Sequence, residues 1–148
     1  MSRPFPELDG EIQQATLLRR FTAMIYDGFL VVAIWMCTGF AAVALNDGEA
    51  VSGALFQTAL FLITFAFFAY FWVRLGQTLG MQVWRLRIQT AEGCHISPRQ
   101  ALIRFMTAIL SFGCFGLGFF WMLFSPEKNT WHDAFSETQI VLLPKPKK

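Results

Sequence analysis

Charge is what this sequence has least of: only 15% of its 148 residues are Asp, Glu, Lys or Arg, against about 25% in an ordinary soluble domain. With 55% hydrophobic residues, a disordered chain is excluded. The formal net charge of +2 is too small for a nucleic-acid surface, so no nucleic-acid partner is expected. There are two histidines and three cysteines. Cys37 and Cys114 lie in apolar segments and Cys94 in a polar one, which implies no disulfide framework. His132 and Asp133 are adjacent and point in different directions, and a zinc site needs at least two further ligands, so no metal or other cofactor is expected. Phosphate loops, dinucleotide fingerprints, nucleophile elbows and paired-Cys motifs are all missing. Without a nucleophile, base and orienting group to assemble, an enzyme is not expected.

What the sequence does contain is three long apolar runs in a chain whose length allows one domain. Residues 21–45 hold a single charge, Asp27, and residues 54–73 hold none. Each is long enough at 1.5 Å per residue to cross a hydrocarbon core of roughly 30 Å. The second ends in Tyr70, Phe71 and Trp72, an aromatic belt of the interfacial kind. A cleaved signal peptide is not expected, because the first run is too long for a signal-peptide core. Between the two runs the turn is acidic, whereas Arg3, Arg19, Arg20, Arg74, Arg85, Arg87, Arg99 and Arg104 flank the other ends. The positive-inside rule therefore predicts a multi-pass protein of the plasma (inner) membrane with its N-terminus in the cytoplasm. Membrane lipids are its expected partners.

The third run, residues 105–124, has Gly113, Gly116 and Gly118 at its centre. These permit either close packing within one span or a break into two half-helices that return to the starting side. Beside it stand two β-prone stretches. In Trp84 to Thr90, Leu86 and Ile88 alternate with Arg85, Arg87 and Gln89, and Thr138 to Leu143 follows near the C-terminus. Neither is stable alone. If they pair, the third run must re-enter. The residues between Gly76 and Gly80 are expected to form a turn, and Val83, Trp84 and Leu86, among arginines, to lie on an anionic leaflet.

Asp27 is the most informative position, since an ionised aspartate at membrane depth costs about 2.5–3.5 kcal/mol on insertion scales. Arg20, two helical turns earlier, shares its stripe but lies about 10.5 Å away along the axis, too far for a direct pair. A donor is expected from Arg104, Gln77, Thr78 or water. Two readings follow: a polar tie between helices, or a proton or cation site. Asp133 reads as the acceptor for an arginine such as Arg20 or Arg104, pinning the C-terminal segment to the helices.

Three places in the chain together resemble the RDD family of integral membrane proteins, named for one arginine and two aspartates. They are Arg20 to Asp27, Gly76-Gln77-Thr78-Leu79-Gly80 with the basic stretch to Ile88, and His132-Asp133 with Thr138. The likeness covers about residues 19–143, leaving a cytoplasmic tail at 1–18 and a basic tail at 144–148. It departs at Met81, where a lysine is common, and at Glu137, where a glycine is common before the threonine. The fold expected is an all-α membrane domain of two full spans plus a third spanning or re-entrant segment, with a small cytoplasmic β element. The resemblance implies an integral membrane protein of uncertain role, suspected of transport; the carboxylate at membrane depth in a chain with few other charges points to a small ion or solute as cargo, proton-coupled cation exchange included. In that reading Asp27 titrates, Arg20 tunes it and Asp133 closes the cytoplasmic end with Arg104, while Gln77, Thr78, His132 and Thr138 support the network. Three helices enclose little space, so conduction implies a homo-oligomer. The alternative is a non-transporting accessory or scaffold protein.

Overall fold

The computed structural model describes residues 4–5, 13–126 and 129–144. Helix α1 (Leu17–Leu45) is 29 residues long, roughly 43 Å at the α-helical rise. It begins four residues ahead of the expected start, because Leu17, Leu18, Arg19 and Arg20 are good helix formers and Thr16 is extended. Helix α2 (Ala54–Arg74) follows a turn in which Asp47 and Gly48 both adopt positive φ. Both helices are long and apolar enough to cross a membrane, and their apolar windows are not buried within the protein. Side chains such as Phe29, Phe40 and Leu55 point outward, as expected of helices whose solvent is lipid.

After α2, Gly76 turns the chain at φ +68, where a Cβ would meet the Phe5 ring at 2.5 Å. Helix α3 (Leu79–Val83) starts at Thr78, whose Oγ1 accepts from the Met81 N–H at 3.2 Å. Three antiparallel strands then form one sheet in the order β1-β3-β2: β1 (Gln13–Gln14), β2 (Leu86–Thr90) and β3 (Thr138–Leu142). The two β-prone stretches pair as expected, with Leu86 opposite Leu142, Ile88 opposite Ile140 and Thr90 opposite Thr138.

The third strand comes from the segment read as a tail. Gln13 and Gln14 pair with Leu142 and Val141, and Phe5 donates its N–H to Gly93 O at 3.1 Å. Two glutamines offer no apolar alternation, so sequence periodicity does not reveal this edge strand. The remainder of the 1–18 tail, at 1–3 and 6–12, and the basic residues 145–148 lie outside the described residues.

The sheet also corrects the expected leaflet contact. Leu86 and Ile88 are fully buried in a core with Trp72, Met81, Ile96, Ala101, Phe105 and Ile140. On the opposite face Arg87 is buried too, its guanidinium 4.2 Å from the Phe5 ring centroid and donating to Gln89 Oε1 at 2.7 and 3.1 Å. Only Val83 and Trp84 of that stretch remain exposed.

The third apolar run does not form one helix. Helix α4 (Pro98–Gly113) opens on a Ser97/Gln100 capping box with Pro98 in its first turn. It stops at Cys114, and after Phe115 and Gly116, both at positive φ, helix α5 (Leu117–Phe124) begins. The break is built: Gly116 N–H donates to Ser111 O at 2.8 Å, and a Cβ on Gly118 would sit 2.4 Å from Ser111 Oγ. The halves pack on each other, and helix α6 (Trp131–Phe135) brings the chain back beside α4 before β3. At Glu137 the turn into β3 is made at φ +53 despite the missing glycine.

Candidate functional site

Two aspartates organise the end of the helices nearest the sheet, and they are satisfied in different ways. Asp133 lies in the first turn of α6 and is wholly buried. Its Oδ2 accepts from Arg20 Nη1 of α1 and its Oδ1 from Arg104 Nη1 of α4, with a further bond from the Thr130 N–H at 3.2 Å. One carboxylate thus joins three helices.

The guanidiniums spend their remaining donors on the sheet. Arg20 Nε donates to Ala15 O and its Nη2 to Ile140 O, both at 3.2 Å. Arg104 Nη1 also donates to Thr138 Oγ1 at 3.0 Å, and its Cζ lies 5.5 Å from the Trp72 ring centroid. Thr138 Oγ1 is 2.7 Å from Ser136 Oγ, which donates to His132 O at 2.5 Å. Such charge-assisted bonds offset the desolvation of three buried ions.

Two arginines and one carboxylate leave this layer with an excess positive charge. Burial raises the Asp133 pKa, but Arg104 and then Arg20 outweigh it and hold the carboxyl well below the usual carboxylate range. His132, next in sequence and equally buried, is pushed down to about 3, first by desolvation and then by the Arg104 charge. Its ring is neutral at physiological pH.

Asp27 is also buried, and among the described residues no guanidinium is ion-paired with it. Its Oδ2 accepts from Thr78 Oγ1 and its Oδ1 from the Gly80 N–H at 2.9 Å. Of the donors expected, Thr78 is the one used. Arg104 is engaged by Asp133, and Gln77 donates instead to Leu86 O at 2.7 Å. Gly80 is needed for this approach: a Cβ there would lie 2.3 Å from Ala23 O and 3.0 Å from the Asp27 carboxylate. Asp27 therefore clasps α1 to α3, and of its two donors only the Gly80 backbone N–H carries no side-chain signal in the sequence. Ser136 and Trp72 were likewise not legible as members of the charge layer.

Two cavities flank this layer, one lined by Arg20 and the other by Asp133. A cavity of about 550 Å³ lies between α1, α2 and α4; its lining includes Arg20, Asp27, Thr78 and His132, with apolar walls from Val31, Phe105 and their neighbours. It reaches to Trp35 and Thr64, whose side chains are hydrogen-bonded at 2.8 Å. At the sheet end a polar cavity of about 430 Å³ is lined by Gln14, Asn129, Asp133, Glu137, Thr138 and Gln139 among others. No group of three potential metal ligands occurs among the described residues.

No curated protein and no solved structure is similar enough to the chain to be matched with it. The sequence model of one family matches residues 14–137, a span that contains both clasped aspartates and both arginines of the charge layer. The chain belongs to the RDD family.

Proposed function

We propose that the protein is a multi-pass transporter, or transporter subunit, that moves a small cation or other small solute across the plasma (inner) membrane with its sheet end in the cytoplasm. One observation carries this reading: Arg20 lines the cavity that runs between the apolar helices and holds Asp27, while its ion-pair partner Asp133 lines the polar cavity at the sheet end. An ionisable residue at membrane depth that faces a cavity marks a functional site by default, ion and proton pathways among the kinds known. Asp27 binds the cation or proton, and the ion-paired layer closes the cytoplasmic end. The arginine flanks support this orientation. Two apolar helices and a broken third segment enclose little space, so the working form is a homo-oligomer surrounded by lipid.

A second reading rests on a specific feature. Both oxygens of Asp27 and both of Asp133 already accept hydrogen bonds that join elements, as in a non-transporting scaffold. Asp27→Asn separates the two, because the amide oxygen still accepts from Gly80 and its NH2 group can donate to Thr78. In proteoliposomes carrying a proton or alkali-cation gradient, Asp27→Asn is expected to abolish flux while melting close to the wild type. Unaltered flux would remove Asp27 from the mechanism. Gradients that even the wild-type protein leaves untouched would favour the scaffold.

A further inference from the structure

The α4–α5 hairpin carries a surface that extends well beyond the few α4 side chains lining the cavity beside Asp27. From Phe105 to Pro126 it holds no charged residue. Its tip is bare, with Phe115 95% exposed and Leu110, Phe112, Leu117 and Phe120 exposed around it, and the returning helix stays exposed through Trp121, Leu123 and Phe124. A continuous apolar surface of this kind is not left in water. Yet the four successive N–H groups of the turn are all hydrogen-bonded, Cys114 N–H donating to Leu110 O, Phe115 N–H to Phe112 O, Gly116 N–H to Ser111 O and Leu117 N–H to Cys114 O. Satisfied backbone under an all-apolar exterior is the requirement for lying in hydrocarbon.

The feet of the hairpin fix where it enters. Arg104 on α4 and Asp133 on α6 are ion-paired, and the strands before and after the hairpin, β2 and β3, are paired along their length. Both feet therefore stand at the sheet end. From Arg104 to Gly113 the helix rises about 13 Å, and the eight residues of α5 cover about 12 Å. Either is less than half of a core roughly 30 Å thick. The tip also shares an open apolar groove of about 720 Å³ with Leu17, Leu18, Phe21 and Met24, all in the first turns of α1.

We infer that the α4–α5 hairpin is a half-inserted wedge that enters the leaflet on the sheet side, packs its tip among the acyl chains of that leaflet's lipids and returns without crossing. Those acyl chains also fill the groove between the tip and the start of α1. The chain then has two complete crossings, and both termini lie on one face. This does not depend on any transported solute.

The test uses the full chain in oriented vesicles, with Cys37, Cys94 and Cys114 changed to Ser and one new cysteine at a time. Ala91→Cys reports the sheet side, Glu49→Cys the loop between α1 and α2, and Ser125→Cys the end of α5. A membrane-impermeant maleimide is expected to label Ala91→Cys and Ser125→Cys from the same face and Glu49→Cys only from the opposite one. Labelling of Ser125→Cys together with Glu49→Cys means a crossing and overturns the wedge. A fluorophore on Phe115→Cys is expected to be quenched by lipids brominated on their acyl chains and to resist a water-soluble quencher. Quenching from water at that site places the tip outside the bilayer and overturns it equally.

Discussion

At the scale of single residues, Asp133 and His132 decide how the charge layer responds to substitution and to pH. Asp133→Asn would leave two buried guanidiniums without a counter-ion. Removing one partner of a buried pair typically costs about 3–5 kcal/mol, so this variant is expected to melt far below the wild type in detergent. Arg104→Lys should also fail to restore the wild-type melting temperature, since the ammonium lacks the planar guanidinium that lies near Trp72 while its Nη1 donates to both Asp133 and Thr138. His132 contributes a pH dependence of its own. Its folded value of about 3 lies below the ordinary 6.5, so between those limits the unfolded chain takes up a proton that the folded chain refuses. The neutral ring's share of stability is whole above about pH 6.5 and is lost progressively as the pH falls towards 3. Asp133 adds nothing to that slope at pH 5 to 7, because its depressed folded value removes stability only as the pH drops below the unfolded 3.8. The wild-type protein is thus expected to melt lower at pH 5 than at pH 7.5, and His132→Gln to flatten the difference; an equal slope in both would assign it to another group.

At the scale of elements, the clasp between α1 and α3 depends on a missing side chain. A Cβ on Gly80 would meet the backbone oxygen of Ala23 rather than a flexible side chain, so Gly80→Ala must push α3 off α1 and stretch the Gly80 N–H bond to Asp27. Overpacking of this kind costs about 1–3 kcal/mol. A fall in melting temperature, and faster hydrogen exchange at the Gly80 and Met81 amides, are expected. Elements whose residues form patterns were legible in advance: the two long apolar helices, and the alternation that pairs Leu86 and Ile88 with Leu142 and Ile140. The pairing of Arg20 and Arg104 with Asp133 was legible because buried charges require partners. The choice between span and hairpin was not, since three central glycines suit both, and what breaks the helix is the contact of Gly118 with Ser111. Strand β1 escaped because Gln13 and Gln14 join by backbone alone. The partner of Gly80 escaped for the same reason.

At the scale of the whole molecule, the helices are held together unevenly. Near the sheet α1 is fixed by Arg20 on Asp133 and by Asp27 on Thr78 and Gly80, and it packs most extensively on α3. Further along, the cavity of about 550 Å³ separates it from α2 and α4, and the Trp35 Nε1–H bond to Thr64 Oγ1 bridges the gap at 2.8 Å. A hydrogen bond between membrane helices contributes about 0.6 kcal/mol on average, close to thermal energy. The end of α1 away from the sheet is therefore able to swing while the charge layer stays fixed, and such a motion would change the cavity's opening without unfolding anything. Thr64→Val keeps the side-chain volume and removes the acceptor. With Cys94 and Cys114 changed to Ser, and Cys37 too wherever it is not itself labelled, spin labels on Cys37 of α1 and on Leu62→Cys of α2, both outward-facing, read the gap directly. Their distance distribution is expected to broaden in Thr64→Val, with the melting temperature nearly unchanged. Labels on Leu18→Cys and Val83→Cys, at the sheet end, should keep a narrow distribution in both proteins. Broadening at both ends would mean that α1 is loose along its length and that the charge layer does not anchor it.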